Sequence, residues 1–172
     1  MQNLWRLILA ALLLLPCVHG TEVIRVVTWN LEWFPGGKPS ATQKEKNDHF
    51  LEVAAILPQL GADVIVLQEV RNAQAAEDLA KVLPGFSAHV TSTFKDPFTR
   101  QTGEQQISIL SRLPADGAWA EAWKKGWANA PRGYAYARLK VGRRFLHVYG
   151  LHLKSNIGNP ASNTGKREDA AE

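Results

Sequence analysis

The sequence has little sulfur, few charged residues and no long apolar segment. Its 172 residues include one cysteine, Cys17, which excludes a small scaffold held together by disulfide bonds. The longest apolar run, residues 7–18, has 12 residues, whereas a membrane-spanning helix needs about 20, so a multi-pass membrane protein is excluded. Because 45% of the residues are hydrophobic and 21% are charged, a disordered tail is excluded as well.

Several motifs of common enzyme classes are also missing. The chain has no glycine-rich phosphate loop, no Gly-x-Ser-x-Gly elbow and no Cys/His spacing typical of a zinc site. These absences argue against enzymes whose chemistry depends on such motifs. What is present is enough chain for one domain with its own core. Its 20 basic and 16 acidic residues leave a small positive excess that fits a polyanionic partner.

The first twenty residues have the pattern of a secretory signal peptide. Arg6 supplies a positive charge, the apolar run of residues 7–18 follows, and Gly20 stands at the expected cleavage site before Thr21. We therefore expect a signal peptide at residues 1–20, cleavage near Gly20-Thr21 and a secreted or periplasmic protein. Lipidation at Cys17 stays open, although the proline before it suits that processing poorly.

The remaining residues alternate between strand and helix patterns, which predicts an α/β domain with a mixed sheet over residues 21–172. A continuous apolar run at residues 64–67 indicates a strand covered on both faces. Gly142-Arg143 is the predicted turn of a hairpin, and Thr164 is a candidate cap for the last helix. The predicted strands are residues 23–29, 64–67, 86–91, 106–111, 134–141 and 144–153, and the predicted helices are residues 48–60, 73–83 and 166–172.

Polar residues interrupt these strands at three points. Asn30 ends the first strand, Glu69 closely follows the buried apolar run, and His152 lies near the end of the last strand. In open α/β sheets, ligand sites gather at the carboxyl ends of strands. Amide and carboxylate oxygens suit Mg²⁺, so Glu69 and Asn30 are candidate metal ligands, with Mn²⁺ or Ca²⁺ also open. Each residue also has a plainer interpretation: Asn30 as a turn residue, Glu69 as a solvated strand end and His152 as a core histidine.

Four segments carry a resemblance to a known family. They are residues 27–31 (Val-Thr-Trp-Asn-Leu), 63–70 (Asp-Val-Ile-Val-Leu-Gln-Glu-Val), 109–114 (Ile-Leu-Ser-Arg-Leu-Pro) and 150–156 (Gly-Leu-His-Leu-Lys-Ser-Asn). In this order and spacing they resemble the motifs of the endonuclease/exonuclease/phosphatase superfamily, in a bacterial exported type. The resemblance implies the N-terminal part of a four-layer α/β sandwich, in which two mixed β-sheets are flanked by helices.

The resemblance also implies roles for individual residues. Glu69 matches the metal-binding glutamate, and Asn30 matches the asparagine that supports the metal and the scissile phosphate. His152 matches a catalytic histidine that lies at the phosphate and acts as a general acid or stabilises charge electrostatically. Arg71 matches a position that touches nucleic acid, and a plain surface arginine is the simpler interpretation.

Two further residues extend this candidate substrate-binding set. Lys154 and Asn156 are expected to contact phosphate or to hydrogen-bond within their loop. Arg112, in the third motif, is expected to be structural.

Two further motifs of the family, Gly-Asp-x-Asn and Ser-Asp-His, do not occur in the chain. The sequence also stops inside a helix-like segment. We therefore expect a C-terminal truncation: an intact protein that is a hydrolase, and a 172-residue chain that is inactive by itself.

The favoured function is a metal-dependent phosphodiester hydrolase, an exported nuclease acting on nucleic acid. Within the family, a phosphomonoesterase or a sphingomyelinase-like phospholipase stays open, as does the oligomeric state. Trp119, Trp123 and Trp127 are spaced four apart. On a helix they would form one stripe, suited with the intervening lysines to a membrane interface or nucleic acid. The alternative is core and rim packing of an irregular strand segment. A secreted, non-catalytic module that binds a polyanion also stays open. Its basic face would comprise Lys124, Lys125, Arg132, Arg143 and Arg144.

Overall fold

The structure is a computed structural model that describes residues 23–96, 99–123, 132–155 and 158–171. The predicted signal peptide, Asn156 and three members of the stripe or basic face (Lys124, Lys125 and Trp127) lie outside these residues. The described helices are α1 (Gln43–Ile56), α2 (Ala73–Val82) and α3 (Pro160–Asp169). The described strands are β1 (Val26–Phe34), β2 (Val64–Val70), β3 (Ser87–Thr91), β4 (Gln106–Ser111), β5 (Ala115–Ala122), β6 (Gly133–Val141) and β7 (Arg144–Leu151).

The strands form two sheets, which confirms the predicted α/β class. The first sheet has the order β1-β2-β4-β3, with β1 parallel to β2 and β4 antiparallel to both of its neighbours. The second sheet has the order β5-β6-β7, and its described strands are antiparallel. Among the strands that the structure describes, directions are therefore mixed in the first sheet only. The predicted hairpin joins β6 to β7, and Gly142 in its turn has a φ of 57°, which favours glycine.

Two apolar cores lie on opposite faces of the first sheet. Ile65 and Leu67 face α1 and α2, whereas Val64 and Val66 face the second sheet. This alternation follows from the period of two along a strand, and it confirms that residues 64–67 are covered on both faces. Each fully buried aliphatic side chain contributes about 1.5–3 kcal/mol to folding. The cores thus hold β2, which carries Glu69, in the middle of the molecule.

Helix α1 begins five residues before the predicted start. Thr42 caps it: its Oγ1 accepts a hydrogen bond from the Glu45 amide at 3.3 Å, and Glu45 Oε2 accepts one from the Thr42 amide at 2.7 Å. Apolar periodicity missed this first turn because the turn is polar. At the other end Pro58 lies in a 3₁₀ turn, Leu57–Leu60, and Gly61 follows in the left-handed conformation.

Strand β5 was not predicted, and its presence decides the arrangement of the tryptophans. Trp119 lies on β5 with its ring 4.1 Å from that of Tyr136, and Trp123 follows the strand with its ring 5.7 Å from that of Tyr134. The helical stripe is therefore wrong for these two residues, and strand packing is confirmed.

The last helix also differs from its prediction. Helix α3 is capped by the Asn159 side chain, which accepts a hydrogen bond from the Ser162 amide at 3.1 Å. The predicted cap, Thr164, lies inside the helix. None of the described helices combines the length and apolar character that crossing a membrane requires.

Candidate functional site

The candidate site is built on an irregular stretch of β1 and β2. Pairing runs regularly to Asn30 and Gln68 and resumes at Phe34 and Val70, so residues 31–33 on β1 lie opposite Glu69 alone. Asn30 and Glu69 thus stand at a bulge within their strands, rather than after the strand ends as predicted. Bulges of this kind redirect side chains and are common beside active sites.

The bulge holds three non-glycine residues in the left-handed backbone region. The φ angles of Glu32, Trp33 and Glu69 are 50°, 59° and 61°. Each such conformation costs about 1–3 kcal/mol and persists only where surrounding contacts hold it. The contacts of the bulge therefore bear directly on the geometry of the site.

The Glu69 carboxylate is held from two sides. Asn30 Nδ2 donates a hydrogen bond to Glu69 Oε1 at 3.1 Å, and the Trp33 amide donates to Glu69 Oε2 at 3.2 Å. Asn30 Oδ1 in turn accepts from the Glu32 amide at 3.0 Å. Because both ends of the Asn30 amide have a partner of the matching type, its orientation is determined by the network.

His152 follows β7 and completes this cluster. Its Nε2 lies 3.4 Å from Glu69 Oε1, and the two side chains are only 15% and 14% exposed. Burial lowers the pKa of His152, the positive charge of Arg132 lowers it further, and Glu69 acts in the opposite direction. The neutral imidazole is thus favoured at neutral pH. Its Nδ1 is buried and has no hydrogen-bond partner among the residues that the structure describes.

Arg132 belongs to this cluster, although the sequence suggested it only as part of a basic face. Tyr134 pairs with Leu151, so the register of the hairpin brings Arg132 to the same sheet end as His152. Arg132 Nη2 donates to Gln105 Oε1 at 2.9 Å. Burial lowers the pKa of Arg132, and the charge of Glu69 opposes that shift. The sequence did contain a signal for this position of Arg132: counting residue pairs from the predicted hairpin turn towards the far ends of its two strands places Arg132 near His152.

No carboxylate pairs with Arg132 among the residues that the structure describes; the side chain that accepts its hydrogen bond is the neutral amide of Gln105. A half-buried cation without an ion pair is costly, and an anionic ligand would reduce that cost. Arg132 therefore gives the site a place for negative charge beside His152.

Arg71 is a buried arginine, so the simpler interpretation of a plain surface residue is wrong. Its side chain is 7% exposed, and its guanidinium donates to the carbonyl oxygens of Pro35, at 2.9 Å, Lys38 and Pro39, at 3.1 Å. Nη1 also pairs with Glu104 at 2.5 Å. Because these bonds occupy most of its N–H groups, the arrangement argues against the predicted contact with nucleic acid.

Lys154 lies two residues after His152, and Asn156 lies outside the described residues. Lys154 Nζ is 3.2 Å from the carbonyl oxygen of Ser155 and 3.1 Å from its Oγ. These contacts correspond to the loop hydrogen bonding that was one of the two predicted roles. Phosphate contact by Lys154 and Asn156 stays a prediction.

A divalent cation would use Glu69 as its carboxylate ligand. Mg²⁺ is commonly held by one or two carboxylates together with phosphate and water, and the Glu69 oxygens retain lone pairs beyond those used by Asn30 and Trp33. Within the described part of the chain no group of three or more His, Cys, Asp or Glu side chains forms a closed metal cage. Asn30 supports the carboxylate through its N–H group, and its predicted role as a metal ligand stays a prediction.

A groove of about 460 Å³ adjoins the cluster on the side of α1. Four carboxylates line it, so an anionic phosphate would be repelled from this side and favoured beside Arg132 and His152. Its lining comprises Trp29, Asn30, Leu31, Glu32, Gly36, Gly37, Glu45, Asp48, His49 and Glu52.

The fold of this chain is similar to the folds of several solved proteins. An endonuclease/exonuclease/phosphatase family protein from Leptotrichia buccalis C-1013-b is 12% identical with a TM-score of 0.53, covering 86% of this chain and 62% of that one. The mannosyl-6-phosphatase of Bacteroides thetaiotaomicron VPI-5482 is 17% identical with a TM-score of 0.60, covering 86% and 58%. TDP2 from Caenorhabditis elegans is 16% identical with a TM-score of 0.53, covering 77% and 35%.

At these identities the likeness shows the fold alone. The chain spans less than two thirds of the length of these solved proteins. No curated protein matches the sequence. The model of the endonuclease/exonuclease/phosphatase family, however, matches residues 27–167, which is most of the chain and includes Asn30, Glu69, Arg132 and His152. The chain therefore belongs to the endonuclease/exonuclease/phosphatase family.

Proposed function

We propose that the protein is an exported, divalent-metal-dependent phosphodiester hydrolase, with nucleic acid as its first candidate substrate. The observation that carries the proposal is the Glu69 carboxylate, held by Asn30 and the Trp33 amide, with His152 Nε2 at 3.4 Å. Membership of a family of endonucleases, exonucleases and phosphatases supports a phosphoester as the bond that is cleaved.

The residues of the cluster suit the demands of that reaction. A metal ion bound at Glu69 would supply Lewis acidity and neutralise charge on the phosphate. Arg132 offers a fixed positive charge for a non-bridging oxygen, and preorganised charges of this kind are a major source of rate enhancement. His152, neutral at neutral pH, can donate one ring N–H to the substrate or accept a proton from it.

Hydrolysis of a phosphomonoester is the second candidate. It is raised by the fold that this chain shares with a protein described as a mannosyl-6-phosphatase. A sphingomyelinase-like phospholipase is the third candidate, and a non-catalytic polyanion-binding module is the fourth. Metal binding discriminates against the fourth, since a polyanion-binding module has no need of a cation at Glu69.

The activity is tested with the intact native protein, because the 172-residue chain by itself is expected to be inactive; this holds for the other kinetic tests as well. Its substrates are double-stranded DNA, bis(p-nitrophenyl) phosphate and p-nitrophenyl phosphate, with Mg²⁺ added. We expect turnover of the two diesters, and we expect Glu69→Gln to lower kcat/KM by about 100-fold or more, because it removes the charge that holds the metal. Glu77→Gln, on the exposed face of α2, is the matched control. Turnover of the monoester alone would favour the second candidate, and metal-independent DNA binding without turnover would overturn the proposal.

Export is tested separately. The positive charge, apolar run and small residue of residues 1–20 support cleavage before Thr21. We expect the protein recovered from the periplasm or the medium to begin at Thr21, as measured by N-terminal sequencing and intact mass. Recovery in the cytoplasm with Met1 retained would contradict this part of the proposal.

A further inference from the structure

Arg71 connects the loop after β1 to the strand that carries Glu69. Its backbone amide donates to the Phe34 carbonyl at 2.8 Å, which closes the bulge, and its guanidinium binds the carbonyl oxygens of Pro35, Lys38 and Pro39. The side chain is 7% exposed, whereas that of its ion-pair partner Glu104 is 53% exposed. Arg71 is thus a buried anchor, with one charged partner at the surface.

The same guanidinium also reaches the bulge that supports Glu69. Its central carbon lies 5.9 Å from the centre of the Trp33 ring, within the range of a cation–π contact. The backbone amide of Trp33 donates to Glu69 Oε2 at 3.2 Å. Trp33 has a φ of 59°, a conformation that needs support from its surroundings. The contact path therefore runs from Arg71 through Trp33 to the carboxylate.

We propose that Arg71 is a positioning residue, which holds the Trp33 peptide against the Glu69 carboxylate and does not itself bind substrate. The structural part of this inference concerns the protein without metal or substrate; its consequence for catalysis rests on the proposed function. It differs from the expectation drawn from the sequence, in which Arg71 was to contact nucleic acid.

The geometry of the guanidinium predicts how substitutions will behave. Arginine presents five N–H donors in a rigid planar fork, whereas lysine presents a compact ammonium group. Lysine would keep the positive charge but could not bind three carbonyl oxygens, one carboxylate and an aromatic face at once. A substrate contact that depends on charge would be rescued by Arg71→Lys, whereas a positioning role would not.

The first test is hydrogen exchange of single backbone amides by NMR in the full chain, without metal or substrate. We expect the Trp33 amide to exchange about tenfold faster or more in Arg71→Lys and Arg71→Met, because loss of the support lowers the free energy of local opening at this strained peptide. The amides of Val66 and Ile109, in the middle of the first sheet, should keep their wild-type rates. Glu104→Gln, which removes only the exposed partner, should give a smaller increase in Trp33 exchange.

Arg112→Met is the matched control. Arg112 also packs over an aromatic ring, with its guanidinium carbon 5.1 Å from the centre of Phe86, and lies 3.7 Å from a carboxylate oxygen of Asp63, but away from the bulge. We expect Trp33 exchange to be unchanged in this variant. Equal increases in Arg71→Met and Arg112→Met, or no increase in either, would overturn the inference.

The second test uses Mn²⁺ titration and steady-state kinetics with bis(p-nitrophenyl) phosphate. We expect both Arg71 variants to weaken Mn²⁺ binding and lower kcat by about tenfold, as for other residues that orient a metal ligand, with KM changed less than about twofold. A rise in KM that Arg71→Lys reverses would assign Arg71 to substrate and overturn the proposal. If the wild-type protein cleaves no phosphoester, the exchange experiment still decides the positioning role, and only the proposed function fails.

Discussion

At the scale of single residues, the properties of the site depend on electrostatic interactions among three partly buried side chains. Glu69 and His152 are each about one-seventh exposed, with side-chain exposures of 14% and 15%. Arg132 lies at the same sheet end, and its charge and that of Glu69 act on His152 in opposite directions. Because screening by water is weak here, the loss of one charge should affect the others strongly.

Replacing Arg132 with glutamine should therefore lower activity more than stability. We expect Arg132→Gln to reduce kcat/KM for bis(p-nitrophenyl) phosphate by about 100-fold, the range found when a charge-stabilising group is removed. Steady-state kinetics and thermal unfolding of the variant measure the two effects. Arg143→Gln, exposed in the β6–β7 turn, is the control and should have wild-type activity. Equal activity of the two variants would remove Arg132 from the site.

At the scale of single elements, the start of α1 depends on a reciprocal cap. Thr42 and Glu45 bond each other's backbone amides, and Glu45 also forms an ion pair with Lys38. The Lys38 contact and the two Thr42 contacts lower the pKa of Glu45 to about 2. Since α1 lines the groove beside Asn30, this cap also shapes one wall of the site.

Removal of the cap should destabilise the fold by a small, measurable amount. We expect Thr42→Ala to lower the free energy of unfolding by about 1 kcal/mol, the usual cost of losing an N-cap side chain. Urea denaturation measures it, with Thr93→Ala, an exposed threonine outside the helices, as control. A loss no larger than that of Thr93→Ala would show that the cap contributes nothing.

The same cap predicts a dependence of stability on pH. Folding lowers the pKa of Glu45 from 4.5 to about 2, so its stabilising contribution is present above pH 4.5 and is lost as the pH falls toward 2. We expect Glu45→Gln to be less stable than wild type at neutral pH and to lose less stability between these two pH values. Urea denaturation at several pH values tests this. Parallel curves for the two proteins would contradict it.

At the scale of the whole molecule, the site exists because two sheets pack closely. Glu69 and Asn30 come from the first sheet, whereas His152 and Arg132 come from the second. Gly150, two residues before His152, lies where a Cβ atom would be 2.8 Å from Ile107 Cγ2 and 2.9 Å from Val66 Cγ1. The absence of a side chain at this point lets β7 approach the first sheet and brings His152 near Glu69.

Adding a methyl group at Gly150 should push the sheets apart. We expect Gly150→Ala to lower the free energy of unfolding by about 1–3 kcal/mol, as overpacking of a core commonly does, and to lower activity by moving His152. Gly117→Ala is the matched control, because its Cβ atom would meet its nearest neighbour at an ordinary 3.7 Å. Chemical denaturation and steady-state kinetics report the two effects. Equal stability of the two variants would show that the sheets tolerate the extra carbon.

Local patterns were sufficient to predict most elements and three members of the cluster. Strand and helix periodicity depends on neighbours along the chain, so β2, β4, α2 and the β6–β7 hairpin were predicted with small errors at their ends. Asn30, Glu69 and His152 stood out because each is a polar residue at or near the end of a predicted strand. The family resemblance, carried by short motifs in order, was confirmed by the family match over residues 27–167.

Contacts between distant parts of the chain could not be predicted from those local patterns. Strand β5 lacks a clear apolar alternation and exists because it pairs with β6. The bulge at Glu69 arises from a mismatch in length between two strands, which neither strand reveals separately. Arg71 and Arg132 look alike in sequence, yet one is enclosed by a loop 32–36 residues away in the chain and the other reaches Gln105 beside the site. Their different roles follow from burial and cross-sheet proximity, which only the folded chain creates.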